Sequence, residues 1–181
     1  MTAKLSASAD GTKVTIGTAA EDALQIDATA KTIKALAPYS LQPQLPAFSA
    51  TKSVNQAFTG VGSPQITFDV EQFDYGNYFS GNAYNPKVAG VYQVNANVVI
   101  AGGNSSYLFA KINKNGTAVL AGSGTQESPL LSKIDNVSVV SGLVYMNGTT
   151  DTLTVTATTS TNAGAAFTTD SKFSGALVRA A

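Results

Sequence analysis

The chain of 181 residues contains no histidine, no cysteine and no tryptophan. Without histidine, the Ser-His-Asp triad and most general acid–base machinery are excluded. Without cysteine and histidine, zinc and iron–sulfur sites are excluded too. Charge is scarce, at 12% of residues against about 25% in an ordinary soluble domain. Eleven basic residues balance eleven acidic ones, which leaves no electrostatic footprint for nucleic acid. No continuous apolar stretch follows the Met1-Thr2-Ala3-Lys4 start, so no signal peptide is expected. Apolar runs such as Val98-Val99-Ile100-Ala101 fall far short of the ~20 residues that a spanning helix needs. The expectations are therefore cytoplasmic synthesis, no membrane insertion, no cofactor, no metal and no catalytic residue.

What is present is a normal apolar share, 44%, set among Thr, Ser, Asn and Gly. Near-zero net charge promotes association. Residues 1–36 show short apolar alternations: Val14 with Ile16, Leu24 with Ile26, then Ile33 and Leu36. They recur about every ten residues, the spacing of short strands joined by turns. Residues 19–24 could instead form one helical turn, too short to stand alone. No part of 1–36 has enough apolar residues for its own core. It is either disordered or ordered by partner copies, and the alternation favours the second. This segment is the candidate attachment stem. Residues 37–47 hold three of the six prolines and read as an extended, stiff connector containing a domain boundary.

Residues 48–181 read as the domain proper. Strands are expected over 65–70, 90–100, 107–112, 137–145, 151–158 and 173–178, most with period-two alternation and many β-branched or aromatic residues. Asn115-Gly116 and Asn147-Gly148 accept the positive φ of tight turns and mark hairpin or turn positions. No helical pattern of ten or more residues is found. Many short strands with regular turns predict an all-β fold, a jelly-roll β-sandwich.

This domain resembles the globular head of complement subcomponent q, within the tumour necrosis factor-like superfamily. The resemblance runs from Ala47-Phe48-Ser49-Ala50 through Ile66-Thr67-Phe68-Asp69 and Asn77-Tyr78-Phe79-Ser80-Gly81-Asn82-Ala83-Tyr84. Pro86-Lys87-Val88-Ala89-Gly90-Val91-Tyr92-Gln93-Val94 is similar to the family's Pro-x-x-x-Gly-x-Tyr-x-Phe segment, with Val94 in place of the Phe. Tyr107–Gly116 looks like a strand ending in Lys-Asn-Gly. Val139–Thr156 looks like the family's Gly-x-Leu-x-Leu-x-x-Gly-Asp strand pair, with Asn147-Gly148 at the turn, and Phe173-Ser174-Gly175-Ala176-Leu177 like the closing strand. The animal members carry a collagen stalk, whereas no Gly-x-y repeat occurs here. Residues 1–36 look instead like the short β-repeats that precede heads in bacteriophage fibres and spikes. The resemblance implies a homotrimer.

Asp69, Glu71 and Asp74 crowd one segment, and period two puts Asp69 and Glu71 on one strand face. They pose a calcium site or a glycosidase pair against a solvated strand end, and the last is preferred because no calcium-loop motif accompanies them. Phe79, Tyr84 and Tyr92 are expected in the core and the three-fold interface. Tyr75 and Tyr78 are candidate receptor or glycan contacts, since exposed tyrosine is rigid and amphipathic. Phe167, alone among small polar residues, is a third candidate contact, or else a packing anchor.

The function expected is that of a non-enzymatic structural protein on a bacteriophage surface. Three copies would form a knob on a stem, as a capsid decoration or head fibre, joined through the N-terminal segment to another virion protein of capsid or tail. The alternatives are a tail fibre recognising a host surface glycan or protein, and a carbohydrate-binding module or lectin.

Overall fold

The computed structural model describes residues 4–7, 11, 13–17, 22–29, 32–35, 45–58, 62–101, 107–124, 136–159 and 165–181. They fall into two compact units, Met1–Pro43 and Gln44–Ala181. Leu36 and most of the proline-rich connector lie outside the described residues.

The first unit is one antiparallel meander of β1 (Lys4–Ala7), β2 (Lys13–Gly17), β3 (Asp22–Asp27) and β4 (Thr32–Ala35). The alternation at Val14/Ile16 and Leu24/Ile26 thus marks strands, and Asp22–Leu24 is extended rather than helical. The strands pair within one chain: Val14 stands opposite Ile26, Ile16 opposite Leu24, and Ile26 opposite Ile33.

The second unit is a sandwich of two antiparallel sheets. The large sheet runs β13–β14–β10–β17–β5–β7. Its strands are β5 (Ala47–Thr51), β7 (Val70–Tyr75), β10 (Gly90–Ala101), β13 (Ser123–Gly124), β14 (Asn136–Met146) and β17 (Lys172–Ala180). Short β16 (Ala165–Phe167) and β6 (Gln56–Phe58) extend it beyond β10. The small sheet runs β12 (Thr117–Ala121), β11 (Leu108–Lys114), β15 (Leu153–Thr159), β9 (Ala83–Tyr84), β8 (Phe79–Ser80). Strict alternation builds the core. Tyr92, Val94, Ala96 and Val98 of β10 face Leu108, Ala110 and Ile112 of β11 and Leu153, Val155 and Ala157 of β15, all essentially inaccessible. Phe48 ties the two layers together, stacked on Tyr84 at 4.0 Å and meeting Phe173 edge-on at 4.8 Å. Such aromatic pairs add to the burial they already contribute.

One expectation changes and two are resolved. Residues 65–70 are not a strand; the ladder begins only at Val70. Ile66 and Phe68 still face the core, but side chains hold the backbone between them. Thr67 N donates to Gln56 Oε1 (3.0 Å) and Phe68 N to Asn82 Oδ1 (2.6 Å). Asn115-Gly116 is a tight turn with φ of 51° and 82°, closing β11 onto β12. Asn147-Gly148 is not a hairpin, because β14 and β15 belong to different sheets. There Asn147 Oδ1 accepts from the backbone N–H groups of Thr149, Thr150 and Asp151 at 2.9–3.1 Å, wrapping the chain over to the second layer.

Candidate interaction surface

The inner face of the large sheet is spent on the core, so its outer face is what the fold presents. Pairing register assembles that face in rows. One row runs Tyr75, Ala47, Ala176, Gln93, Leu143; the next runs Phe73, Ser49, Ser174, Asn95, Ser141. Apolar side chains dominate its two margins. On the β14 side Val139, Leu143 and Tyr145 are 55%, 59% and 52% exposed. On the β7 side the rings of Phe73 and Tyr75 stack at 5.3 Å and stay nearly half exposed. Between the margins lies an uncharged polar ladder. Gln93 Nε2 donates to Ser141 Oγ (2.9 Å), and Ser141 Oγ donates to Asn95 Oδ1 (2.6 Å). A shallow depression of about 220 Å³ lies beside Phe73, lined also by Gln93, Asn95 and Ser174. In the row between Phe73 and Ser174 the Ser49 hydroxyl is buried without a partner among the described residues.

The sequence candidates separate accordingly. Tyr75 lies on this surface. Tyr78 is half-buried, packed on the core with its ring edge-on to Tyr84 at 6.5 Å. Phe167 is wholly buried because β16 pairs with both β10 and β6, which brings its ring 5.7 Å from Phe58. It is a packing anchor, with no surface left for a receptor. Phe79, Tyr84 and Tyr92 are core residues. Phe73 was not singled out as a contact; its period-two spacing from Tyr75 could have found it, but only β5–β7 pairing shows that both project from the sheet.

The acidic segment also differs. Asp69 precedes β7 and does not share a strand with Glu71. Its carboxylate accepts from Ser53 N (2.9 Å) and from the Ser53 hydroxyl. Those bonds hold the Asp69 carboxyl below its ordinary pKa. A depression of about 270 Å³ opens beside Asp69 and Glu71, floored by Phe68 and Phe79. Among the described residues no three acidic side chains converge as a metal site would require. Nearby Lys52 is buried, donating to Thr67 O (2.8 Å), Thr67 Oγ1 (2.7 Å) and Gln56 Oε1 (3.1 Å). Loss of hydration lowers its pKa, which the Asp69 charge only partly offsets. This lysine, carboxylate and serine fasten the β5–β6 turn to the irregular segment around Thr67 and Asp69.

No protein-family model matches the sequence. No curated protein matches it either. The chain is similar in structure to murine APRIL, crystallised at pH 5.0, with a TM-score of 0.57 at 9% identity over 74% of this chain and 99% of that one. The all-β architecture described above is a tumour necrosis factor-like jelly roll.

Proposed function

We propose that the protein is a non-enzymatic structural component of a bacteriophage surface, assembled as a homotrimeric knob on a short β-stem. The observation that carries the assembly is the outer face of the large sheet. Its margins are apolar and exposed, and its centre is polar but nearly uncharged. Exposed apolar patches such as these two margins, rimmed by polar residues, favour a protein partner. The two margins are chemically unlike, aromatic along β7 and mainly aliphatic along β14. A contact that joins unlike edges is heterologous, and where its rotation closes it makes a ring rather than an open filament. Three is the smallest such ring, and it is the number that the tumour necrosis factor-like resemblance implies. The central ladder of Gln93, Asn95 and Ser141 would then fix register, because a buried polar group misaligned with its partner is costly.

The virion setting rests on other features. The chain has no thiol or imidazole, is poor in charge, and joins a meander of short strands to a jelly roll through proline-rich sequence. We place it as a capsid decoration or head fibre whose N-terminal unit attaches to another virion protein. The assembly is tested by sedimentation: three times the 18.5 kDa chain mass is expected, and Leu143→Asp should reduce it to one. A monomeric wild type would overturn the trimer. The location is tested by immunogold microscopy of virions. Gold over the capsid is expected; gold confined to the tail tip would make the protein a receptor-binding fibre.

A second reading, glycan recognition, is favoured by one observation. The Phe73–Tyr75 stack stands beside the amides of Gln93 and Asn95, an aromatic ledge with polar groups as sugar rings require. The same surface cannot serve both purposes. Binding on a glycan array that Tyr75→Ala abolishes in a monomeric protein would select the second reading.

A further inference from the structure

The N-terminal sheet has one face of a different chemistry from the other. Register places Ala7, Val14, Ile26 and Ile33 in one cross-strand row and Ile16 with Leu24 in the next, all on the same side. Ile16, Ile26 and Ile33 are 39%, 37% and 62% exposed. Lys13, Thr15 and Gln25 occupy the alternate positions on the other side. A sheet with one apolar face needs a second layer against that face. Among the described residues of this unit there is a single sheet.

We propose that this face is closed by the same face of the other copies of the chain, so that the stem has a core contributed by several copies. This rests on the trimeric reading of the head. The size of the face selects the occupant. Four strands about 4.8 Å apart and roughly five residues long present about 300 Å². A partner arriving from free solution needs about 800 Å² per side for a stable interface. The face is too small for that, and large enough for a partner already held close. Copies joined through their heads meet their own stems at about millimolar effective concentration. The described residues of the face, Ala7, Val14, Ile16, Leu24, Ile26 and Ile33, are all aliphatic, so these parts of identical faces can interlock without burying a charge.

The absence of native cysteine makes single-cysteine variants of the full chain clean reporters. Ile33→Cys and Ile26→Cys should each link two chains when treated with a short bismaleimide, leaving the third chain of each trimer unlinked. Lys13→Cys and Gln25→Cys, on the other side, should link at least tenfold more slowly. Adding Leu143→Asp, which separates the heads, should slow linking of Ile33→Cys to the same extent. If the heads form trimers but Ile33→Cys reacts freely with a monofunctional maleimide and never links, the face is open and the proposal fails. If Ile33→Cys is protected yet never links, a different layer covers it, and the proposal fails equally. Linking of Ile33→Cys at an undiminished rate beside Leu143→Asp would mean that stems meet without their heads, against the small area of the face, and would overturn the proposal, whereas a monomeric wild-type head would overturn the head trimer. The same readings on wild-type and Leu143→Asp backgrounds therefore keep the two ideas apart.

Discussion

The Lys114 ammonium lies 2.7 Å from Asp151 Oδ2 and also donates to the Tyr145 carbonyl at 2.8 Å, so one side chain joins the end of β11 to both the β15 start and the β14 strand of the opposite sheet. Asp151 is 8% exposed at its side chain. It accepts in addition from Asn115 Nδ2 (2.8 Å) and Asn147 N (2.9 Å). Asp151→Ala should therefore strand several polar groups at once and cost about 2 kcal/mol or more. The check is the urea midpoint; an unchanged midpoint would show the junction to be held by other contacts.

The same carboxylate sets an acid limit. The bond from Lys114, helped by those from Asn115 and Asn147, holds Asp151 below its ordinary pKa, and Ser53 does likewise for Asp69. In both cases the unfolded chain takes up protons first. The stabilisation is complete above about pH 4, the unfolded carboxylate range, and is lost as pH falls toward the depressed folded values. Thermal melts from pH 6 to pH 2 should show a steep decline below about pH 4, shallower in Asp151→Asn.

Two buried tyrosines should respond oppositely to loss of the hydroxyl. Tyr92 OH donates to Val88 O at 2.8 Å, and burial pushes its pKa up to about 12. Tyr84 OH is buried with no partner among the described residues. Tyr92→Phe should cost about 1 kcal/mol. Tyr84→Phe should be neutral or slightly stabilising, because it removes a polar atom that no protein group meets. Calorimetric melting temperatures of the two variants decide it; a large loss in Tyr84→Phe would contradict this account of the site.

Glycines 116 and 148 provide a matched pair. Both have left-handed φ, 82° and 71°. An added Cβ at Gly116 meets nothing within 4 Å, whereas at Gly148 it comes within 2.4 Å of Ala89 N. Gly116→Ala should cost about 1 kcal/mol of backbone strain. Gly148→Ala should cost clearly more, since Ala89 backbone must move. Equal midpoints in urea would show that the Gly148 loop yields without penalty.

Where side chains alternate along a regular ladder, the sequence was informative. β10, β14, β15 and β17 lie where period two put them, and Asn115-Gly116 turns as its residue types demand. Alternation reports burial rather than hydrogen bonding, and this is why 65–70 misled. Ile66 and Phe68 point inward as a strand would, but the pairing with β15 stops at Ile66, and the Gln56 and Asn82 side chains take its place at Thr67 and Phe68. Phe167 is the packing anchor that the sequence offered beside a contact: its burial depends on β6, more than a hundred residues earlier, and nothing near it in sequence signals that pairing. The candidate surface was half legible. Tyr75 was found from its own character, whereas its partnership with Phe73 and the Gln93–Ser141 bond depend on which strands are neighbours.

The antiparallel pairing of β5 with β17 has a practical meaning for engineering. Ala47 stands beside Ala176, Leu177 N donates to Pro46 O, and Ala181 N donates to Ala89 O. The chain therefore enters and leaves the head at one pole. Ile100 is paired with Asn136 and with Phe167, and Leu108 with Thr159, so these ends of β10, β14, β16, β11 and β15 gather at the other pole. A tag fused after Ala181 would emerge beside the point where the connector arrives. The whole length of β10, Gly90–Ala101, separates that tag from the opposite pole.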